Sequence, residues 1–165
     1  MTQEKKIYLQ HSFRYGSIIG FVSFLYYLIG YYTGLEKKTF VFDNLYFFIS
    51  MAMLIVMMVK YRRMQSTRVK FSRYVAMGFV ASVVIAFFLS AYLFIRIMVL
   101  DTYMIYQIIS IVEQTLQDYE FPALSTANIN VFKISYVFAN FLVNIFNNMI
   151  YVLLISAFMV FNSRI

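Results

Sequence analysis

Four asparagines, Asn140, Asn144, Asn147 and Asn148, fall at spacings of i, i+4, i+7 and i+8 in an otherwise apolar stretch. On a helix these spacings gather the amides on one side. Each amide carries two donors and an acceptor oxygen, and leaving one unpaired in an apolar medium costs several kcal/mol. The stripe must therefore look toward protein or water. Three readings stay open. The amides can bond between helices, for instance to Ser23, Ser82, Ser90 or tyrosine hydroxyls. They can line a polar path for a small molecule, a lipid or an ion. Or they can meet a second subunit.

Other chemistry is sparse. The single histidine, His11, cannot supply bis-histidine haem ligation or a histidine metal cluster, and with no cysteine there is no thiolate ligand, nucleophile or disulfide. No Ser/His/Asp set, glycine-rich phosphate loop or paired carboxylate motif occurs, so no catalytic residue, metal or cofactor is expected. Every acidic residue lies outside or at the margin of the apolar runs, which leaves no mid-membrane group for proton coupling.

The elements that must position these residues are long and apolar. Of 165 residues, 62% are hydrophobic and only 13% charged, too little polar surface for a soluble domain of this size. Runs at about residues 15–35, 40–59, 74–95 and 134–161 each reach the roughly 20 residues that span a hydrocarbon core of about 30 Å as helix. The only proline, Pro122, lies between the last two. The first run ends in Leu35-Glu36-Lys37-Lys38 instead of a small-residue cleavage site, so retention of the first helix is expected. Ten basic residues (Lys5, Lys6, Arg14, Lys60, Arg62, Arg63, Arg68, Lys70, Arg73 and Arg164) fall on one side of these crossings and four on the other. The expectation is an all-α integral membrane four-helix bundle with both termini cytoplasmic, a single domain over 1–165. Tyr31, Tyr32, Tyr46, Tyr92, Tyr103 and Tyr106 would mark the outer face, and Tyr15, Tyr61 and Tyr74 the inner one.

Small residues suggest how the helices meet. Gly16, Gly20, Ser23, Gly30 and Gly34 share a stripe of the first helix, and Gly78, Ser82, Ala86 and Ser90 recur every four residues in the third. Such faces admit close helix approach, which makes the first and third helices expected neighbours or marks a subunit seam. The basic link of Lys60, Arg62, Arg63, Arg68, Lys70 and Arg73 acts as a topology determinant and can attract anionic lipids; nucleic acid is not expected. Arg96 is expected to snorkel outward near Asp101, and Asp43 and Asn44 to serve the start of the second helix. In the outer segment 96–133, Met104, Ile105, Ile108, Ile109, Val112 and Leu116 recur at helical spacing. The pattern predicts an amphipathic helix that lies on the outer leaflet or extends the third helix and folds back. A loop follows at 119–130.

Arg14-Tyr15-Gly16-Ser17-Ile18-Ile19-Gly20 and Val69-Lys70-Phe71-Ser72-Arg73-Tyr74-Val75-Ala76-Met77-Gly78-Phe79, with the acidic outer segment before the last helix, resemble the family catalogued as domain of unknown function 4199. These are small inner-membrane proteins found mainly in Bacteroidota. The resemblance implies a four-helix architecture in a bacterial inner membrane and carries over no catalytic residue. Where the family's pattern has Asp-Pro after the third helix, this chain has Asp101-Thr102. Together the residues favour a non-enzymatic membrane protein, working as a homo-oligomer or as a subunit beside other membrane proteins, over a transporter with an asparagine-lined path.

Overall fold

Long apolar runs without proline have one economical way to satisfy their backbone, and the chain takes it throughout. The structure, a computed structural model, describes residues 3–35, 39–65, 68–117 and 129–161. They form five α-helices: α1 Gln3–Thr33, α2 Thr39–Arg63, α3 Phe71–Ile95, α4 Met104–Gln117 and α5 Ile129–Phe161. Among the described residues there is no strand. Four segments, Ile7–Thr33, Val41–Arg63, Phe71–Leu100 and Ile129–Phe161, are long and apolar enough to cross a membrane. The Glu36-Lys37-Lys38 link, the Asp118 to Asn128 part of the expected loop with Pro122, and Arg164 lie outside the described residues.

The first helix begins about three turns before its apolar run, and two polar residues of that extension are packed inside. His11 and Ser12 are buried. The His11 ring lies between those of Tyr15 and Tyr61, at 4.5 and 5.5 Å between centroids, and its Nε2 is 3.0 Å from the Met57 carbonyl of α2. Ser12 donates to the Tyr8 carbonyl one turn back. At the other end Gly34, with φ of 69°, enters the left-handed region that closes α1, and its N–H donates to the Tyr31 carbonyl. In α2 the basic residues Lys60, Arg62 and Arg63 occupy the last turn, where they complement the exposed carbonyls. The helix starts at Thr39, so Asp43 sits one turn inside it and not at its cap.

Gly16 fixes the closest helix contact. A methyl there would stand 3.0 Å from the Ala81 Cα and 3.1 Å from the Val84 Cβ of α3. Farther along, Gly20 faces Phe88, Phe24 meets Tyr92, and Tyr31 donates to the Leu100 carbonyl. Residue numbers rise together along these pairs, so α1 and α3 run parallel. A neighbouring side of α3, about 60° around from Ala81, receives α5, with Gly78 beneath Val152. The second helix closes the assembly from the remaining side: Phe42 covers Gly30 of α1, and Phe47 packs edge-on against Tyr151 of α5. Ile19, Leu54, Met57, Met58, Tyr74, Ala81, Ile85, Val152 and Ile155 form the shared core. Outward, Phe21, Phe48, Phe87, Val99, Phe146 and Phe158 are all more than half exposed. An apolar exterior of this extent suits lipid and not water.

The third helix does not stop at Ile95. One wider turn, Arg96–Leu100, is π-helical and closes with the Asp101 N–H donating to the Arg96 carbonyl at 2.7 Å. Asp101 then breaks the helix, and its Oδ1 accepts the Met104 N–H at 3.1 Å, capping α4. The amphipathic α4 turns its wholly buried Ile105 inward and leaves Tyr106 and Ile111 exposed. The outer segment thus first extends α3 and then turns into a separate helix.

Candidate functional site

The asparagines do not share one environment. Asn140 and Asn144 are half-buried, Asn148 is buried and Asn147 is exposed. Asn140 and Asn144 line a cavity of about 260 Å³ with Tyr27 of α1, Leu89, Tyr92 and Leu93 of α3, Arg96 of the π turn, Met104 of α4 and Tyr136 of α5. Five helical segments therefore contribute to one polar chamber in an otherwise apolar assembly. Asn140 donates one N–H to the Tyr136 carbonyl at 3.1 Å, a turn back on its own helix. The Arg96 guanidinium carbon lies 5.5 Å from the Tyr31 ring centroid, a cation–π arrangement at the chamber's edge. Arg96 follows Leu89, Tyr92 and Leu93 at the spacing of one face of a regular helix, which puts all four on the side of α3 that lines the cavity.

No protein-family model, curated protein or solved structure matches the chain.

The chamber continues inward through aromatic contacts. The Tyr27 ring lies 5.6 Å from that of Tyr92 and 5.0 Å from that of Tyr46. Tyr46 in turn faces the hydroxyls of Ser23 and Ser50 in the core. Tyr46 and Tyr92, expected in an outer belt, thus serve the interior instead. The inner Tyr61 and Tyr74 are buried as well, while Tyr32 and Tyr103 are exposed.

The serines expected to receive asparagine bonds spend their donors locally. Ser23 donates to the Ile19 carbonyl and Ser82 to the Gly78 carbonyl, both at 2.8 Å. The Ser90 hydroxyl is buried with no hydrogen-bond partner among the described residues. Gly16, Gly20, Gly30, Gly78 and the wholly buried Ala86 are used inside the chain. Gly34 has nothing within 4 Å of where a methyl would go, so it acts as a helix terminator and not as a packing residue. The α1 stripe meets α3 at Gly16 and Gly20, but the residues it meets there are Ala81, Val84 and Phe88, and Gly78 of the α3 stripe lies under Val152 of α5.

At the opposite end, Lys60, Arg62, Arg63, Arg68 and Lys70 are exposed and Arg73 is half-buried. The Lys60 ammonium lies 5.6 Å from the Tyr15 ring centroid, tying the α2 terminus to α1. Residues 66–67 of this link lie outside the described set. Sequence reasoning singled out Asn140 and Asn144 but not Tyr27 or Tyr136, and assigned Arg96 to the surface. A tyrosine in an aromatic-rich chain gives no local signal, and which face of α3 carries Arg96 toward α5 depends on packing between segments distant in sequence.

Proposed function

We propose that this chain is a non-enzymatic, multi-pass protein of a bacterial inner membrane, related to the family it resembles. In this reading it is a four-helix bundle with both termini cytoplasmic, and it holds the polar head of a lipid or small solute in the chamber between α1, α3, α4 and α5. The observation that carries the reading is the meeting of Arg96, Asn140 and Asn144 with three tyrosines around one cavity. A guanidinium, two amides and three phenols offer mainly donors, which suits an oxygen-rich, anionic group such as a phosphate or carboxylate. The cavity's roughly 260 Å³ has room for such a head and little more, while an attached acyl chain would stay in lipid. The basic inner link, with five of its six cations exposed, supports the cytoplasmic placement of that end and its contact with anionic lipid.

A second reading, an accessory subunit acting through helix packing, is favoured by Asn147, whose exposed amide the chamber does not use.

Native mass spectrometry of the detergent-purified protein tests the first reading. Bound phospholipid or small anion should be retained by the wild type and lost in an Asn140→Leu/Asn144→Leu variant of unchanged thermal midpoint. Equal retention by both would refute the chamber as the binding site. Loss of fold without loss of bound lipid would assign the amides to packing.

A further inference from the structure

One face of α5 is exposed yet patterned. Val143, Ile150, Leu154 and Phe161 are each more than half exposed, and Asn147 and Ala157 are exposed between them. Their spacing is 4, 3, 4, 3 and 4, the repeat of a coiled-coil seam. In that register Val143, Ile150 and Ala157 take the d positions and Asn147, Leu154 and Phe161 the a positions. The seam runs 18 residues, about 27 Å, close to the thickness of a hydrocarbon core. Asn147 is the one polar member.

Its depth makes it informative. Val152 of α5 lies opposite Gly78, which is four residues, about 6 Å, into α3 from Tyr74 at the basic end. Asn147 lies five residues farther along α5, so it sits roughly 13 Å into the membrane from that level. Lipid chains offer no hydrogen-bond partner there, and no described residue bonds its amide. We propose that α5 is the seam of a parallel homodimer, in which Asn147 of one copy pairs with Asn147 of the second. Two copies inserted with the same orientation are related by an axis along the membrane normal, so each residue meets its own counterpart at equal depth. A charged or donor-only residue at such a point would repel or waste its twin. An amide both donates and accepts, and it forms two reciprocal bonds across the axis. A lone asparagine at an a position is also the device that fixes register in parallel two-stranded coiled coils. The proposal rests on the membrane reading but not on what the chamber holds.

The cysteine-free chain allows a clean test. Single cysteines are placed in the full-length protein on the seam (Val143→Cys, Ile150→Cys, Leu154→Cys) and beside it (Leu142→Cys, Phe146→Cys, Leu153→Cys), all at exposed positions. The variants are reconstituted in phosphatidylethanolamine/phosphatidylglycerol vesicles and oxidised. Seam positions should give disulfide-linked dimers and flanking positions should not. In the Ile150→Cys background, Asn147→Leu should weaken association roughly tenfold, as expected for loss of interhelical polar bonds, whereas Asn147→Gln should retain it. Uniform crosslinking at all six positions, undiminished dimer with Asn147→Leu, or a monomer in vesicles would each overturn the seam. Recovery of the chain outside the membrane fraction would overturn the membrane reading and the seam together.

Discussion

Replacing Gly16 by alanine sets two well-calibrated effects against each other. In an unencumbered helix interior the substitution gains up to about 1 kcal/mol, because alanine loses less backbone entropy. Here the new methyl would lie 3.0 Å from the Ala81 Cα, 3.1 Å from the Val84 Cβ and 3.2 Å from the Ala81 carbonyl oxygen. Carbon atoms pack best at about 3.5–4.0 Å, so α1 must retreat by roughly half an ångström. Such a gap forfeits about a quarter of the attraction of each contact it opens. The obstacle cannot move out of the way, since it is the backbone of α3, which is backed by α5 through Gly78 and Val152.

Overpacking of this kind costs about 1–3 kcal/mol, which exceeds the propensity gain. The expected net loss is about 1 kcal/mol, a fall of about 3 °C in the thermal midpoint for a chain of this size. Gly16→Ile should lose several-fold more. Gly20→Ala is the internal comparison, because its methyl meets the Phe88 side chain, ring and Cβ, and no backbone atom, so rotation of the ring relieves part of the clash and the effect should be smaller. The assay is thermal unfolding of the purified protein in a mild detergent, followed by near-ultraviolet circular dichroism. A rise in midpoint for Gly16→Ala would show that propensity wins, and the close α1–α3 approach would then contribute nothing to stability.

Two further substitutions probe the ends of the assembly. His11→Phe keeps a ring against Tyr15 and Tyr61 but loses the contact with the Met57 carbonyl, so the midpoint should drop by the equivalent of about 1 kcal/mol, and His11→Ala by more. Asp101→Ala removes the cap on α4 at a cost of about 1 kcal/mol; hydrogen exchange should quicken at the start of Met104–Gln117 while α1 and α5 stay unchanged.

The long helices were legible because each apolar run exceeds a bilayer's thickness, a signal that tertiary context cannot reverse. The amphipathic Met104–Gln117 was legible for a similar reason: Ile105, Ile108, Ile109 and Val112 keep a helical period. The start of α1 was not. Lys5, Lys6, His11 and Arg14 read as a polar tail, and the contacts of His11 with Met57 and Tyr61 of α2, distant in sequence, tie that segment to the packed assembly. The glycines were legible as small faces but not in their partners. Nothing in a Gly-xxx-Gly spacing tells whether Gly30 meets another helix backbone or the Phe42 ring, or that Gly34 is a terminator. The chamber was half legible: two amides announced themselves, while its cation is assigned only once the face shared by Leu89, Tyr92, Leu93 and Arg96 is known to look toward α5.

The asparagine cluster shows why spacing alone leaves roles undetermined. Asn140, Asn144 and Asn148 advance four residues at a time, about 40° per step, and follow a buried face that drifts around α5 as the helix crosses α3. Asn147 lies one residue, about 100°, behind Asn148, enough to carry it out of the buried face. The same four amides thus divide between two periodicities, one of four residues that tracks the inside of the chain and one of seven that tracks its outside. An amide on the inner track can be satisfied within the chain or by what the chamber holds, so replacing it by leucine acts on a single molecule. An amide on the outer track faces away from its own chain, so under the proposed seam its replacement acts on an equilibrium that depends on protein density in the membrane. Dilution with lipid therefore separates the two: a defect in an Asn144→Leu protein should be independent of the lipid-to-protein ratio, whereas the effect of Asn147→Leu should vanish once the wild type is itself diluted to monomers.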